Sequence, residues 1–167
     1  MIIILPFVLI ASCSQKKNYD TEGPFIVVTS SPGGEEEYRE FFPRNFSVYD
    51  NGQLVLHTEP TDNIKVGNNA PIYETELNKE EVEKIKKLIG ENNFWRFRED
   101  LSDDNSLDAS YIYITVNLTD ESKTVGGLNP NFPNFLELAD YVFDLVSDKD
   151  YRLWYKEITD HIHKINP

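Results

Sequence analysis

Short stretches of alternating or β-rich residues predict four strands in the first half of the chain. They lie at Phe25–Thr29, Asn45–Tyr49, Gln53–Thr58 and Ile72–Leu77. The second and third of these stretches flank Asp50-Asn51-Gly52, and the Asn-Gly pair tolerates the positive φ angles of a tight turn. The pattern therefore predicts a β-hairpin between Asn45 and Thr58.

A helix follows the fourth predicted strand. Asn78 can accept hydrogen bonds from the first free N–H groups, and Glu81, three residues later, can reach back to complete a capping box. The apolar residues recur at helical spacing, at Val82, Ile85, Leu88 and Ile89. We expect Gly90 to end this helix in a left-handed conformation.

The second half of the chain predicts two more strands and two helices. Tyr111–Leu118 alternates cleanly and is expected to be a central antiparallel strand, which returns through a turn to Lys123–Val125. Gly126-Gly127 is expected to end that pairing. Helical spacing then covers Phe132–Val146 and Ser147–Ile165, and no repeat of 20–50 residues is present.

Strands followed by helices in this order predict an α+β fold. We expect a single domain from Pro24 to residue 167, with helices packed on an antiparallel sheet of about five or six strands. The 167 residues and the 40% of hydrophobic residues are enough for one domain with a core.

The charge of the chain narrows the classes of partner. Lys and Arg number 16 against 29 Asp and Glu, so the net charge is −13. This charge repels nucleic acid and anionic lipid surfaces, whereas it attracts a cationic protein. A single cysteine excludes an internal disulfide and a site built from several thiolates.

That single cysteine, Cys13, stands where the composition changes abruptly. No charged residue occurs in 1–12, and the apolar run Ile2–Ile10 is too short to span a bilayer but has the length of the apolar part of a secretory signal. Polar residues follow up to Gly23 and predict a flexible tether over residues 13–23. No basic residue precedes Ile2, which indicates a start codon upstream of Met1 or a shortened sequence.

Ile10-Ala11-Ser12-Cys13 resembles the lipobox of bacterial lipoproteins. The resemblance implies cleavage of residues 1–12 as a signal peptide and attachment of a diacylglycerol to the Cys13 thiol, with palmitate-type acyl chains that hold the protein at the membrane. The alternative interpretation is a buried strand that ends in an ordinary core cysteine.

The residues after the cysteine, Ser14-Gln15-Lys16-Lys17, resemble those of lipoproteins from Bacteroidetes-type bacteria. This resemblance implies the periplasmic face of the outer membrane, and the alternative is the outer leaflet of a Gram-positive plasma membrane. The order of elements from Pro24 to Val146 also resembles small uncharacterised domains on bacterial lipoproteins, which implies a fold and a location and no activity.

The acidic loop Asp100–Asp108 offers hard oxygen ligands that suit calcium, chiefly Asp103, Asp104 and Asp108. It departs from an EF-hand loop, because Leu107 and Ile114 stand where oxygen ligands are needed. A solvated acidic turn is therefore the simpler interpretation, and calcium binding is the alternative.

The three histidines do not form a metal pattern. His161 and His163 are two residues apart, and on a helix such side chains point in different directions. His57 lies in a predicted strand without an evident partner. Structural or surface roles are expected for all three.

The sequence gives no catalytic or cofactor motif. It has no Gly-x-Ser-x-Gly elbow and no glycine-rich phosphate loop, and Gly33-Gly34 and Gly126-Gly127 are interpreted as turn and strand-end residues. Tyr111 and Tyr113 are expected on the outward face beside Lys123, as an aromatic binding surface or as cover for the sheet.

Taken together, these patterns predict a lipid-anchored envelope protein with a non-catalytic binding domain. One alternative is a glycan hydrolase that uses paired carboxylates. Another is an acidic inhibitor or immunity-type protein that acts against a basic envelope enzyme.

Overall fold

One six-stranded antiparallel sheet forms the centre of the molecule. The computed structural model describes residues 17–32, 42–103 and 110–166. The strands are β1 (Pro24–Pro32), β2 (Arg44–Tyr49), β3 (Gln53–His57), β4 (Tyr73–Glu76), β5 (Ser110–Asn117) and β6 (Ser122–Leu128). Their order across the sheet is β4-β3-β2-β1-β5-β6, and every neighbouring pair is antiparallel. The predicted α+β fold is confirmed, including the hairpin between β2 and β3.

Three helices pack on one face of this sheet, namely α1 (Lys79–Glu91), α2 (Pro133–Phe143) and α3 (Asp148–Ile165). Phe46 on β2 meets Phe143 at the end of α2, with ring centroids 5.0 Å apart. The indole nitrogen of Trp154 on α3 donates to the carbonyl oxygen of Pro71, just before β4, at 3.0 Å. A single core therefore lies between the sheet and the helices, and it includes the fully buried Phe25 and Phe94.

The capping box predicted for α1 is confirmed, whereas its predicted end is wrong. Asn78 Oδ1 accepts from the N–H groups of Glu80 and Glu81, and the Glu81 carboxylate accepts from the Asn78 N–H at 2.7 Å. Gly90 lies inside the helix, and the left-handed residue is Asn93, with φ of 53°. Asn and Gly both tolerate this conformation, and Asn93 precedes a short 3-10 turn at Phe94–Arg96 that brings Phe94 into the core.

Strand β6 continues through the two glycines at which its pairing was expected to end. Gly126 and Gly127 pair with Tyr113 and Ile112 of β5. The outer side of β6 is covered as well, because Leu101 N–H donates to the Gly126 carbonyl at 2.8 Å and Gly126 N–H donates to the Glu99 carbonyl at 2.9 Å. The glycines thus allow a further segment, residues 99–103, to pack closely along the edge of the sheet.

Packing begins before Pro24, within the segment expected to be a tether. Tyr19 forms an isolated bridge with Leu118, and its ring lies 5.3 Å from that of Phe25. Asp20 N–H donates to the Asn117 carbonyl at 3.1 Å. Residues 17–23 therefore lie against the β5–β6 end of the domain. Within the described part of the chain, no helix has the length and apolar character needed to cross a bilayer.

Candidate functional site

The face of the sheet opposite the helices carries no charged side chain from β3 to β6. Alternation along each strand places only uncharged residues there, and we call the following twelve of them the uncharged face: Val27, Thr29, Ser31, Asn45, Ser47, Val55, His57, Tyr111, Tyr113, Thr115, Asn117 and Thr124. In a chain with 45 charged residues, 16 basic and 29 acidic, such a surface is distinctive. Five strands at about 4.8 Å spacing make it roughly 20–25 Å wide.

Hydrogen bonds across the strands hold the polar side chains of the uncharged face in place. Thr29 donates to Asn45 Oδ1 at 2.7 Å. Ser47 Oγ lies 3.1 Å from His57 Nε2. Asn45 and Ser47 are buried, at 5% and 3% exposed, so their polar atoms need such partners. The centre of the face is therefore a fixed set of hydroxyl, amide and imidazole groups.

Two stacked tyrosines form the most exposed aromatic part of this face. The rings of Tyr111 and Tyr113 are nearly parallel, with centroids 6.4 Å apart, and the residues are 39% and 37% exposed. Partial burial raises the pKa of the Tyr113 hydroxyl, and Tyr111 and the Asp100 carboxylate add to this shift. The Tyr113 hydroxyl consequently stays protonated at neutral pH and can donate as well as accept hydrogen bonds.

Acidic residues border the uncharged face on two sides. Glu74 and Glu76 are exposed on β4, at one edge of the sheet. Glu99 and Asp100 are exposed along β6, at the other edge. The result is a neutral centre between two borders that carry carboxylates, with Arg98 also exposed beside Glu99 and Asp100.

Lys123 does not lie beside the tyrosines, and that prediction is wrong. It pairs with Val116, whose side chain is buried in the core, so Lys123 points toward the helix side of the sheet. Its ammonium group donates to the carbonyl oxygens of Trp95 and Phe97, at 2.9 and 2.6 Å. Lys123 thus holds the 3-10 turn against the sheet, and the tyrosines have no adjacent cation from β6.

The histidines take separate positions. His57 is part of the uncharged face. On α3, His161 Nε2 lies 2.7 Å from the Val66 carbonyl oxygen, whereas His163 is exposed. The expected divergence of His161 and His163 on a helix is confirmed.

Several sequence predictions fall outside the described residues. These are Cys13 and the signal peptide 1–12, Gly33-Gly34, and the acids Asp104 and Asp108. Asp103 is described, and its N–H donates to the Leu128 carbonyl at 2.8 Å. Among the residues that the structure describes, no group of three or more His, Cys, Asp or Glu side chains is arranged to hold a metal ion.

Sequence reasoning identified the two tyrosines and did not identify the rest of the face. Thr29, Ser47 and Thr124 are unremarkable singly, and only the pairing of strands places them together. One signal was available in the sequence, because the alternate residues of the predicted strands lack charge on both sides of the hairpin.

The comparisons with known proteins assign no relative to the chain. No family model matches it, and no match is found among curated proteins.

Proposed function

We propose that the chain is a lipid-anchored protein of the bacterial envelope whose domain binds another protein and catalyses no reaction. The lipobox-like segment that ends at Cys13 supports the anchor, and the uncharged face supports the binding role. The proposed location is the periplasmic side of an outer membrane, with the outer leaflet of a Gram-positive plasma membrane as the alternative. A diacylated or triacylated cysteine anchors durably, because each buried methylene adds about 0.8 kcal/mol.

The composition of the uncharged face is the observation that carries the binding proposal. Cores of protein interfaces are depleted in charged residues and enriched in tyrosine. Tyrosine offers a large contact area at little cost in conformational entropy. Tyr111 and Tyr113 are the exposed aromatic groups of the face, whereas Asn45 and Ser47 at its centre are buried and bonded within the sheet.

The acidic borders indicate the charge of the partner. Glu74 and Glu76 on one side, and Glu99 and Asp100 on the other, favour a partner that has basic residues around a neutral centre. This pattern also supports the more specific alternative, an inhibitor or immunity-type module that meets a basic envelope enzyme.

Site-directed photo-crosslinking tests the face directly. A benzophenone amino acid at position 113 should capture a discrete protein in intact cells, whereas the same group in place of Tyr141, on α2, should not. Glu74→Gln with Glu76→Gln should lower the yield of that adduct, and added salt should lower it further. Identical adducts from positions 113 and 141 would refute a specific role for the face.

Metabolic labelling with a fatty acid tests the anchor separately. We expect label on the wild-type protein and none on Cys13→Ala, which should also leave the membrane fraction. Label that persists in Cys13→Ala would show that the lipid is attached elsewhere or that the lipobox interpretation is wrong.

The glycan hydrolase remains a second candidate. Glu74 and Glu76 lie on the same side of β4, about 7 Å apart along the strand, which is in the range for an inverting carboxylate pair. Both residues are exposed on an edge strand, whereas a general acid is usually shielded from water. We therefore favour binding over hydrolysis.

A further inference from the structure

A second site lies on the helix side of the sheet, where β1 and β2 face the turn between α2 and α3. It is a pocket of about 230 Å³, and its lining includes Ser30, Arg44, Phe46, Phe143, Asp144 and Tyr151. Pockets for drug-sized ligands measure roughly 300–1,000 Å³, so this one fits a smaller molecule.

Arg44 is held in this pocket by neutral groups. Its Nε donates to the Ser30 carbonyl at 3.2 Å, one terminal nitrogen donates to Ser30 Oγ at 3.1 Å, and the other donates to the Tyr151 hydroxyl at 3.0 Å. These bonds use three of the five guanidinium N–H groups and leave one on each terminal nitrogen. These two remaining N–H groups can donate to a carboxylate.

No carboxylate of the described residues neutralises this arginine. None lies within 4.0 Å of a guanidinium nitrogen, although acids outnumber bases by 29 to 16 in the chain. A partly buried cation whose direct partners are neutral still attracts an anion. Arg44 is thus prepared for the carboxylate of a ligand.

Two exposed carboxylates elsewhere in the lining disfavour a purely anionic ligand. Asp144, at the end of α2, and Asp148, in the first turn of α3, both line the pocket. A phosphate or a simple carboxylate would be repelled by them, whereas an ammonium group beside them would be stabilised. The charges therefore suit a ligand with both signs.

The remaining walls are apolar. Phe46 and Phe143 meet edge to face, Tyr151 stacks on Phe46 with centroids 6.5 Å apart, and Val146 completes the lining.

We propose that this pocket binds a free α-amino acid with an apolar side chain, such as leucine. Arg44 binds its carboxylate, Asp144 and Asp148 bind its ammonium group, and the aromatic rings contact its side chain. The pocket lies on the opposite face from the tyrosines, so this proposal does not rest on the function proposed above.

Calorimetric titration of the full-length protein with matched ligands tests the proposal without any mutation. We expect L-leucine or L-phenylalanine to bind, leucinamide to bind at least about tenfold more weakly because it lacks the carboxylate, and N-acetylleucine to bind more weakly because it lacks the ammonium group. Absence of binding by every apolar amino acid, or equal binding of leucine and leucinamide, would overturn it.

Variants then assign the charges to residues. Arg44→Gln should weaken leucine binding at least about tenfold. Arg96→Gln, at an exposed position on the 3-10 turn, is the matched control and should leave it unchanged. Asp144→Asn with Asp148→Asn should weaken leucine binding without weakening that of N-acetylleucine, and equal losses for both ligands would contradict the assigned ammonium site.

Circular dichroism should establish that each variant is folded. If Arg44→Gln does not fold, Arg44→Lys keeps the positive charge without the planar fork, and it should bind leucine more weakly than the wild type. Chemical-shift changes on addition of leucine to the wild type should centre on Phe143 and Tyr151, and shifts confined to other regions would refute the location.

Discussion

Gly126 shows how a single residue controls one edge of the sheet. A β-carbon on Gly126 would lie against the carbonyl oxygen of Ile112 and 2.6 Å from the Cα of Tyr113. Both neighbours are backbone atoms of β5, so neither can rotate away. The close approach of β5 and β6 consequently requires glycine at this position.

Replacement of two glycines by alanine should have opposite effects on stability. Gly126→Ala should lower the free energy of unfolding by at least about 2 kcal/mol, because the new methyl group overlaps backbone. Gly90→Ala should raise the free energy of unfolding by roughly 0.5–1 kcal/mol. Gly90 is helical and exposed, and a β-carbon added there would meet no atom within 4 Å beyond its chain neighbours and the backbone of its own helix. Urea denaturation measures both, and equal effects would contradict the packing at Gly126.

Tyr19 should make the protein sensitive to alkaline pH. Burial, with a contribution from Glu83, raises the pKa of its hydroxyl from 10.0 to about 12. The folded state therefore favours the protonated phenol, and this stabilisation is complete below pH 10 and is lost as pH rises through about 12. Between these pH values the wild type should lose more stability than Tyr19→Phe. Parallel curves for the two proteins would show that Tyr19 titrates normally.

At the scale of elements, α1 depends on its N-terminal cap. Asn78→Ala removes the acceptor for two N–H groups and should lower the free energy of unfolding by about 1 kcal/mol. Asn69→Ala, in an exposed loop, should change it by less than about 0.5 kcal/mol. Urea denaturation of both variants checks the difference, and a similar loss in both would argue against the cap.

The elements themselves follow closely from local sequence. The six strands and three helices lie where alternation, helical spacing and capping residues predict them. The errors concern Gly90 and Gly126-Gly127, because glycine is compatible with a helix end, a strand end or a close approach of two backbones. Which of these applies depends on residues distant in sequence, here residues 99–103 for β6.

At the scale of the molecule, the described fold extends beyond the region expected to be globular. Lys17 lies 3.6 Å above the centre of the Trp95 ring, and Thr119 N–H donates to the Asn18 carbonyl at 3.0 Å. The composition of residues 17–23 is as polar as that of a linker. The segment nevertheless packs on the domain, because it contacts β1, β5 and the 3-10 turn, which are distant in sequence.

Removal of this segment should weaken the domain. A chain that begins at Pro24 should have a lower free energy of unfolding than one that begins at Lys17, by about 2 kcal/mol or more, because it loses the packing of Tyr19 on Phe25 and two backbone hydrogen bonds. Its midpoint of urea denaturation should be lower as well. Tyr19→Ala in the longer chain should reproduce a large part of the loss. Equal midpoints for the two chains would show that 17–23 contributes nothing to stability.

The sequence by itself determined the elements, the hairpin, the capping box and the α+β class, because each depends on residues within a few positions of one another. Tertiary structure decided which side chains share a surface. The uncharged face combines residues from five strands, and the pocket at Arg44 combines β1, β2, α2 and α3. Such sites depend on strand pairing and helix packing between distant parts of the chain, and local pattern carries no information about those distances.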